Sequence, residues 1–162
     1  MHAMHPHSVS PRLRFHRGFT LIELLLVIGI IAILAAIVIV AINPTKQLAD
    51  ARNARRRSDI TTIVNAVYQY AIDHNGTFPV TVTQGVVKPV CQDTMAPATC
   101  VSVLNGVSLR LLSGTYLTAT PKDPQITATA TGTRYTITEE TNGRVTVTAI
   151  GAELGATITT TK

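Results

Sequence analysis

Glu23 is the most chemically conspicuous residue of this chain. It lies in the run RGFTLIELLLVIGIIAILAAIVIVAIN (Arg17 to Asn43), and the nineteen residues after it, Leu24 to Ile42, carry no charge. A carboxylate at the centre of a bilayer costs about 3 kcal/mol on insertion scales. Unless a cation meets it, leucine would serve better. The other reactive side chains form no catalytic constellation. His74 is the one histidine after residue 18, and beside Asn75-Gly76 it reads as part of a helix end. His2, His5, His7 and His16 have no helical spacing to a carboxylate. Cys91 and Cys100 are nine residues apart with no CxxC pair and no neighbouring histidine, which argues against zinc. No enzyme, cofactor or metal is expected.

Charge narrows the partners. The formal net charge is +5, but the first 18 residues hold Arg12, Arg14 and Arg17 and no acid. The rest of the chain has eleven basic against nine acidic residues, so no chain-wide nucleic-acid surface is indicated. The one basic cluster, ARNARRRSD (Ala51 to Asp59), can meet phosphates or lipid headgroups, but Asp50, Asp59 or a neighbouring copy are the more economical partners. Nucleic acid is not the expected ligand.

The elements that position these residues follow from the apolar pattern. Leu24 to Ile42 as a helix spans about 28 Å, close to the hydrocarbon thickness of a bilayer, and outlasts the core of a cleaved secretory signal. It predicts a single-pass anchor. The acid-free basic leader stays on the cytoplasmic side and the C-terminal 120 or so residues lie outside. In that compartment Cys91 and Cys100 are expected to close a short disulfide loop, with two free thiols as the alternative. The helix is predicted to run from Phe19 to about Asn75, with a kink or local melting near Pro44, which lacks an amide donor. Its second half is amphipathic, with Ile60, Ile63, Val64, Val67, Ala71 and Ile72 at three- and four-residue steps. Asn75-Gly76 stops it.

Beyond, residues 81–90 are open between strand and loop, and Val101 to Leu112 between helix and strand. TPKDP (Thr120 to Pro124) must turn. YTITEETNGRVTVTA (Tyr135 to Ala149) predicts a β-hairpin with a type I′ turn at Asn142-Gly143, placing Tyr135, Ile137, Val145 and Val147 on one face. Ala156 to Thr161 adds a further strand. The fold class is therefore α+β: a long N-terminal helix, half transmembrane and half amphipathic, packed on a small antiparallel sheet. The expected division is a leader over 1–18, a transmembrane or filament-core helix over 19–43, the amphipathic half over 44–76 and a β-rich head over 77–162.

Arg17-Gly18-Phe19-Thr20-Leu21-Ile22-Glu23 resembles the processing site of the type IV filament superfamily, which includes type IV pilins and the pseudopilins of type II secretion. The pattern is a short basic leader ending in glycine, then an apolar or aromatic residue, Thr-Leu, an apolar residue and glutamate, then a long apolar helix. Every one of those positions is met, and the likeness continues through NPTKQLADARNARRRSDI to about Pro79. The resemblance implies that prepilin peptidase cuts between Gly18 and Phe19 and that Phe19 becomes an N-methylated first residue. Gly18 offers no side chain to obstruct a protease. Cutting frees an ammonium four residues before Glu23, on the same side of the helix. The carboxylate then meets that amine in its own chain or a neighbour's, and in a bundle of apolar helices it sets the axial register.

The resemblance implies a structural precursor with three readings. The first is a subunit of a type IV pilus-like filament, assembled through the apolar helix. The second is a pseudopilin of type II secretion, which the PKDP turn favours. The third is an uncleaved single-pass protein displaying a small binding domain. Implied partners are further copies or other pilins, prepilin peptidase, the membrane and the pilus or secretion machinery. The precursor sits in the inner membrane with its C-terminus outside, and the filament is periplasmic or extracellular. Pro44 either lets packed subunits lengthen or marks the membrane exit. Calcium at Asp123, as in loops of some pseudopilins, is not expected, because no acids cluster near it in sequence.

Overall fold

The computed structural model describes residues 18–79, 82–127 and 129–162. Residues 1–17 of the expected leader, with its arginines and first four histidines, lie outside the described residues, as does Thr81 at the start of the segment left open above. The chain divides into two compact units, residues 1–43 and 44–162.

In the first unit, helix α1 runs over Leu21–Ala41 with Thr20 as its N-cap. Its 21 residues span about 32 Å, and none is buried. It is long and apolar enough to cross a membrane. A helix apolar on every side needs lipid or other helices around it. The helical path breaks at Ile42-Asn43. Asn43 takes a left-handed φ of 41°, and Pro44 is the first residue of the next helix, where its missing N–H is no loss.

The second unit contains α2 (Pro44–Asp73), β1 (Lys88–Cys91), α3 (Pro97–Leu104), β2 (Gly132–Glu139), β3 (Val145–Ala149) and β4 (Thr159–Thr161). The sheet is antiparallel in the order β1-β2-β3-β4, and α2 packs on β3 and β4. Chain and fold class agree: a long N-terminal helix on a four-stranded antiparallel sheet. Ile60, Ile63, Val64 and Val67 of α2 are buried against Tyr135, Ile137, Val145 and Val147 of the strands, Ile158 just before β4, and Val107, Leu109 and Leu112 of the intervening loop, and Ala71 is buried as well. Ile72 is not part of this face and is 78% exposed. It lies about three and a third turns beyond Ile60, a third of a turn off the stripe.

The hairpin has the expected faces but a different turn. Glu139 pairs with Val145, Ile137 with Val147 and Tyr135 with Ala149. That register puts apolar residues opposite one another and leaves three loop residues, Thr141, Asn142 and Gly143, closed by Glu140 N–H to Arg144 O at 2.6 Å. A two-residue turn at Asn142-Gly143 would shift the register by one and bring core residues opposite threonines. Only Gly143 takes a positive φ, 76°, as in the three-residue loop with a glycine bulge. The side chain of Asn142 instead accepts from Arg144 N at 3.0 Å.

In the segments left open by the sequence, residues 88–91 form the edge strand and Pro97–Leu104 a short helix that ends at Asn105. Pro97 opens that helix and Asn105 closes it in the left-handed region, with φ 47°. Cys91 and Cys100 are joined in a disulfide and both are buried. Gly106 passes directly over the bridge. A methyl group there would lie 2.8 Å from both Cys91 Sγ and Pro89 O and 3.1 Å from Cys100 Sγ. Neither a disulfide nor a strand carbonyl yields easily. Gly106→Ala is expected to cost about 1–3 kcal/mol, read as a lower melting temperature by circular dichroism.

Candidate functional site

Two polar constellations stand out in an otherwise structural molecule. The first opens α1. Gly18 has open space where a Cβ would sit, and Phe19 is 82% exposed. Thr20 and Glu23 form a capping box. The Glu23 N–H donates to Thr20 Oγ1 at 3.2 Å, and the Thr20 N–H and hydroxyl both donate to Glu23 Oε2 at 2.9 Å. The positive end of the helix dipole adds to this. Glu23 is thus held by its own helix start. Both bonds fall on Oε2; the second carboxylate oxygen offers two further acceptor positions.

Among the other sequence candidates, Pro44 begins α2, and Cys91 and Cys100 lie together in the head. His74 Nδ1 is 2.8 Å from Tyr70 O, and its ring stacks on Tyr70 at 3.8 Å. It serves the helix end. Among the described residues no three His, Cys, Asp or Glu side chains gather into a metal site.

The second constellation is a buried charge cluster under the first turns of α2. Arg56 and Asp123 are both fully buried. Arg56 Nε donates to Asp123 Oδ2 at 2.7 Å and Nη2 to Oδ1 at 3.1 Å. Arg56 Nη1 reaches Glu153 Oε2 at 2.8 Å, and Arg52 holds the same carboxylate through two bonds of 2.7 and 2.6 Å. Asn53 clasps the Glu153 backbone at both N–H and C=O. The Asp123 carboxylate also accepts from Gln125 N at 2.8 Å. Burial pushes the Asp123 carboxyl up, but the Arg56 bonds, the Gln125 amide and the guanidinium charge hold it below the ordinary carboxylate range. The Asp123 bond in turn raises the Arg56 pKa. A guanidinium already occupies the face of the Asp123 carboxylate that a cation would take.

Two comparisons with known proteins bear on these sites. The prokaryotic N-terminal methylation motif matches residues 13–39, which include the Gly18–Phe19 bond and Glu23. The type II secretion system core protein G of Aeromonas hydrophila is 36% identical over 111 residues, 68% of either chain. That of Vibrio cholerae serotype O1 is 32% identical over 113 residues, 70% of this chain and 68% of the relative. The chain belongs to the type IV pilin and pseudopilin superfamily. The Escherichia coli K12 core protein G is 40% identical over 81 residues, 50% of this chain and 53% of the relative. No solved structure gives a significant match.

As a pilin-like protein the chain is structural and not an enzyme, and the two constellations have structural tasks. The capping box starts the apolar helix. The charge cluster fastens the TPKDP turn and the loop after β3 onto α2. Sequence reasoning overlooked Thr20 as a partner of Glu23, although Thr-x-x-Glu before an apolar run is itself the capping-box signature. Arg52 and Arg56 hold the Glu153 carboxyl down at about 2 through their hydrogen bonds. In the unfolded chain that group titrates near the usual glutamate value. Its contribution to stability is therefore present above that value and lost as pH falls through about 2. Glu153→Gln is expected to flatten the pH dependence of the melting temperature between about pH 4.5 and 2, measured by thermal denaturation across that range.

Proposed function

We propose that the chain is made as a membrane-anchored precursor and becomes a subunit of a type II secretion pseudopilus. Prepilin peptidase cuts between Gly18 and Phe19, Phe19 is N-methylated, and the mature chain polymerises through α1 with Glu23 facing a freed amine. The observation that carries this reading is the reach of the likeness to core protein G: 111 residues, well beyond the methylation motif and into the head. The bare apolar surface of α1 supports it, since such a helix needs first lipid and then other helices. The inner membrane, further copies of the chain and the secretion assembly machinery are the partners this role requires. A type IV pilus subunit would share the same chemistry, but the names of the relatives favour secretion. Deleting the gene tests the choice. Secreted enzymes held back in the periplasm are expected, with surface filaments unchanged; loss of filaments with normal secretion would return the chain to the pilus reading.

A further inference from the structure

The charges of the head are unevenly placed. Residues 44–162 hold eleven cations and eight acids, a net charge of three positive units. All of that excess lies at the start of α2. Five cations stand on α2 from Lys46 to Arg57, Lys122 adjoins Asp123, and Arg134 closes with Asp123 over Gly151. Only four acids lie among these seven: Asp50, Asp59, Asp123 and Glu153. The other end of the helix and sheet is balanced. Lys88, Arg144 and Lys162 stand there among Asp73, Glu139 and Glu140. Asp93 and Arg110, whose charges interact, cancel as well.

The basic end is the one joined to the anchor. Pro44 opens α2, and Arg57 lies thirteen residues on, about 20 Å along the helix. The loop after β3 is fastened to the same end, because Arg52 and Asn53 hold Glu153. That loop carries Leu154, 56% exposed and with a left-handed φ of 58°, where leucine is rarely found. Leu48, one turn before Arg52, and Ile150 are exposed as well. Apolar side chains set among cations are the pattern of a surface that lies on a membrane. We propose that this end of the head docks on the bilayer that holds α1, with its cations at anionic phospholipid headgroups and Leu48 and Leu154 in the interface. Cations are drawn to a negatively charged leaflet within about 10 Å at moderate salt. The tether makes docking intramolecular, so a weak attraction is enough. Lipid is the occupant that the anchor brings with it, and a nucleic acid would meet the cations but leave the leucines bare. The inference rests on the membrane-anchored reading above and describes how the precursor waits before assembly.

The test reconstitutes the full chain into vesicles of phosphatidylcholine alone or of phosphatidylcholine and phosphatidylglycerol in equal parts. Cys91 and Cys100 are bonded to each other, so an environment-sensitive fluorophore goes to one introduced thiol, Leu154→Cys or, in the same loop, Ile150→Cys. Blue-shifted emission is expected in the phosphatidylglycerol vesicles and not in phosphatidylcholine alone, and high salt should reverse it. The same label on Thr141→Cys, in the hairpin loop at the balanced end, should not shift. Arg57→Glu with Lys122→Glu takes the basic end from three positive units to one negative and should abolish the shift at Leu154→Cys. Chain that floats with both kinds of vesicle while the loop label stays in water, or shifts equally in both, overturns the docking alone. A shift that survives the double charge reversal overturns it too. Chain that floats with neither kind of vesicle overturns the membrane-anchored reading and the docking with it.

Discussion

Arg56→Met is expected to destabilise the head by about 3–5 kcal/mol, the cost of leaving a buried charge without its partner. Asp123 would keep only the Gln125 amide, and Glu153 would keep Arg52 and a long bond from Gln125 Nε2. Against a typical total of about 5–15 kcal/mol, that is a large share. The melting temperature of the purified chain measures it. Two companions separate charge from volume. Arg56→Lys keeps the charge but not the planar fork that serves Asp123 and Glu153 together, so its loss should be intermediate. Arg56→Met with Asp123→Leu removes both charges and should recover much of the stability, because well-packed apolar replacements of buried ion pairs are often neutral. A single Arg56→Met that melts within a degree of wild type would show that the cluster does not hold the head together.

Glu23→Gln is expected to abolish assembly while leaving cleavage after Gly18 intact. The capping box makes this substitution informative. Glutamine at the third helical position can still accept from Thr20 and preserve the helix start, so what it removes is the charge. Glu23→Leu removes both. If Glu23 matters because its carboxylate meets a freed amine between apolar helices, the two variants fail alike. If it matters only as a cap, Glu23→Gln assembles at wild-type yield and Glu23→Leu does not. Filament yield in sheared or membrane-extracted fractions, with the mature N-terminus checked in each, distinguishes them.

The parts of this molecule legible in its sequence are those with a period or a local signature. The period of two in β2 and β3 placed Tyr135, Ile137, Val145 and Val147 on one buried face, and nineteen uncharged residues announced α1. The turn type was not legible from Asn142-Gly143 alone, because register, set by the whole buried face, outranks the preference of one dipeptide. The largest omission was the charge cluster. Asn53 and Arg56 continue the three- and four-residue spacing of Ile60, Ile63 and Val67, so the stripe stays buried while its chemistry changes. An arginine within a basic run points first to acids close by in sequence, here Asp50 and Asp59, whereas the partners of Arg56, Asp123 and Glu153, lie 67 and 97 residues away, with no local pattern to connect them.

The most direct measurement of the central claim is the mass of the protein taken from membranes that contain active prepilin peptidase. The account predicts a chain beginning at Phe19 and carrying one methyl group on its amine. An intact chain beginning at Met1 would mean that no amine is freed for Glu23 and would contradict it.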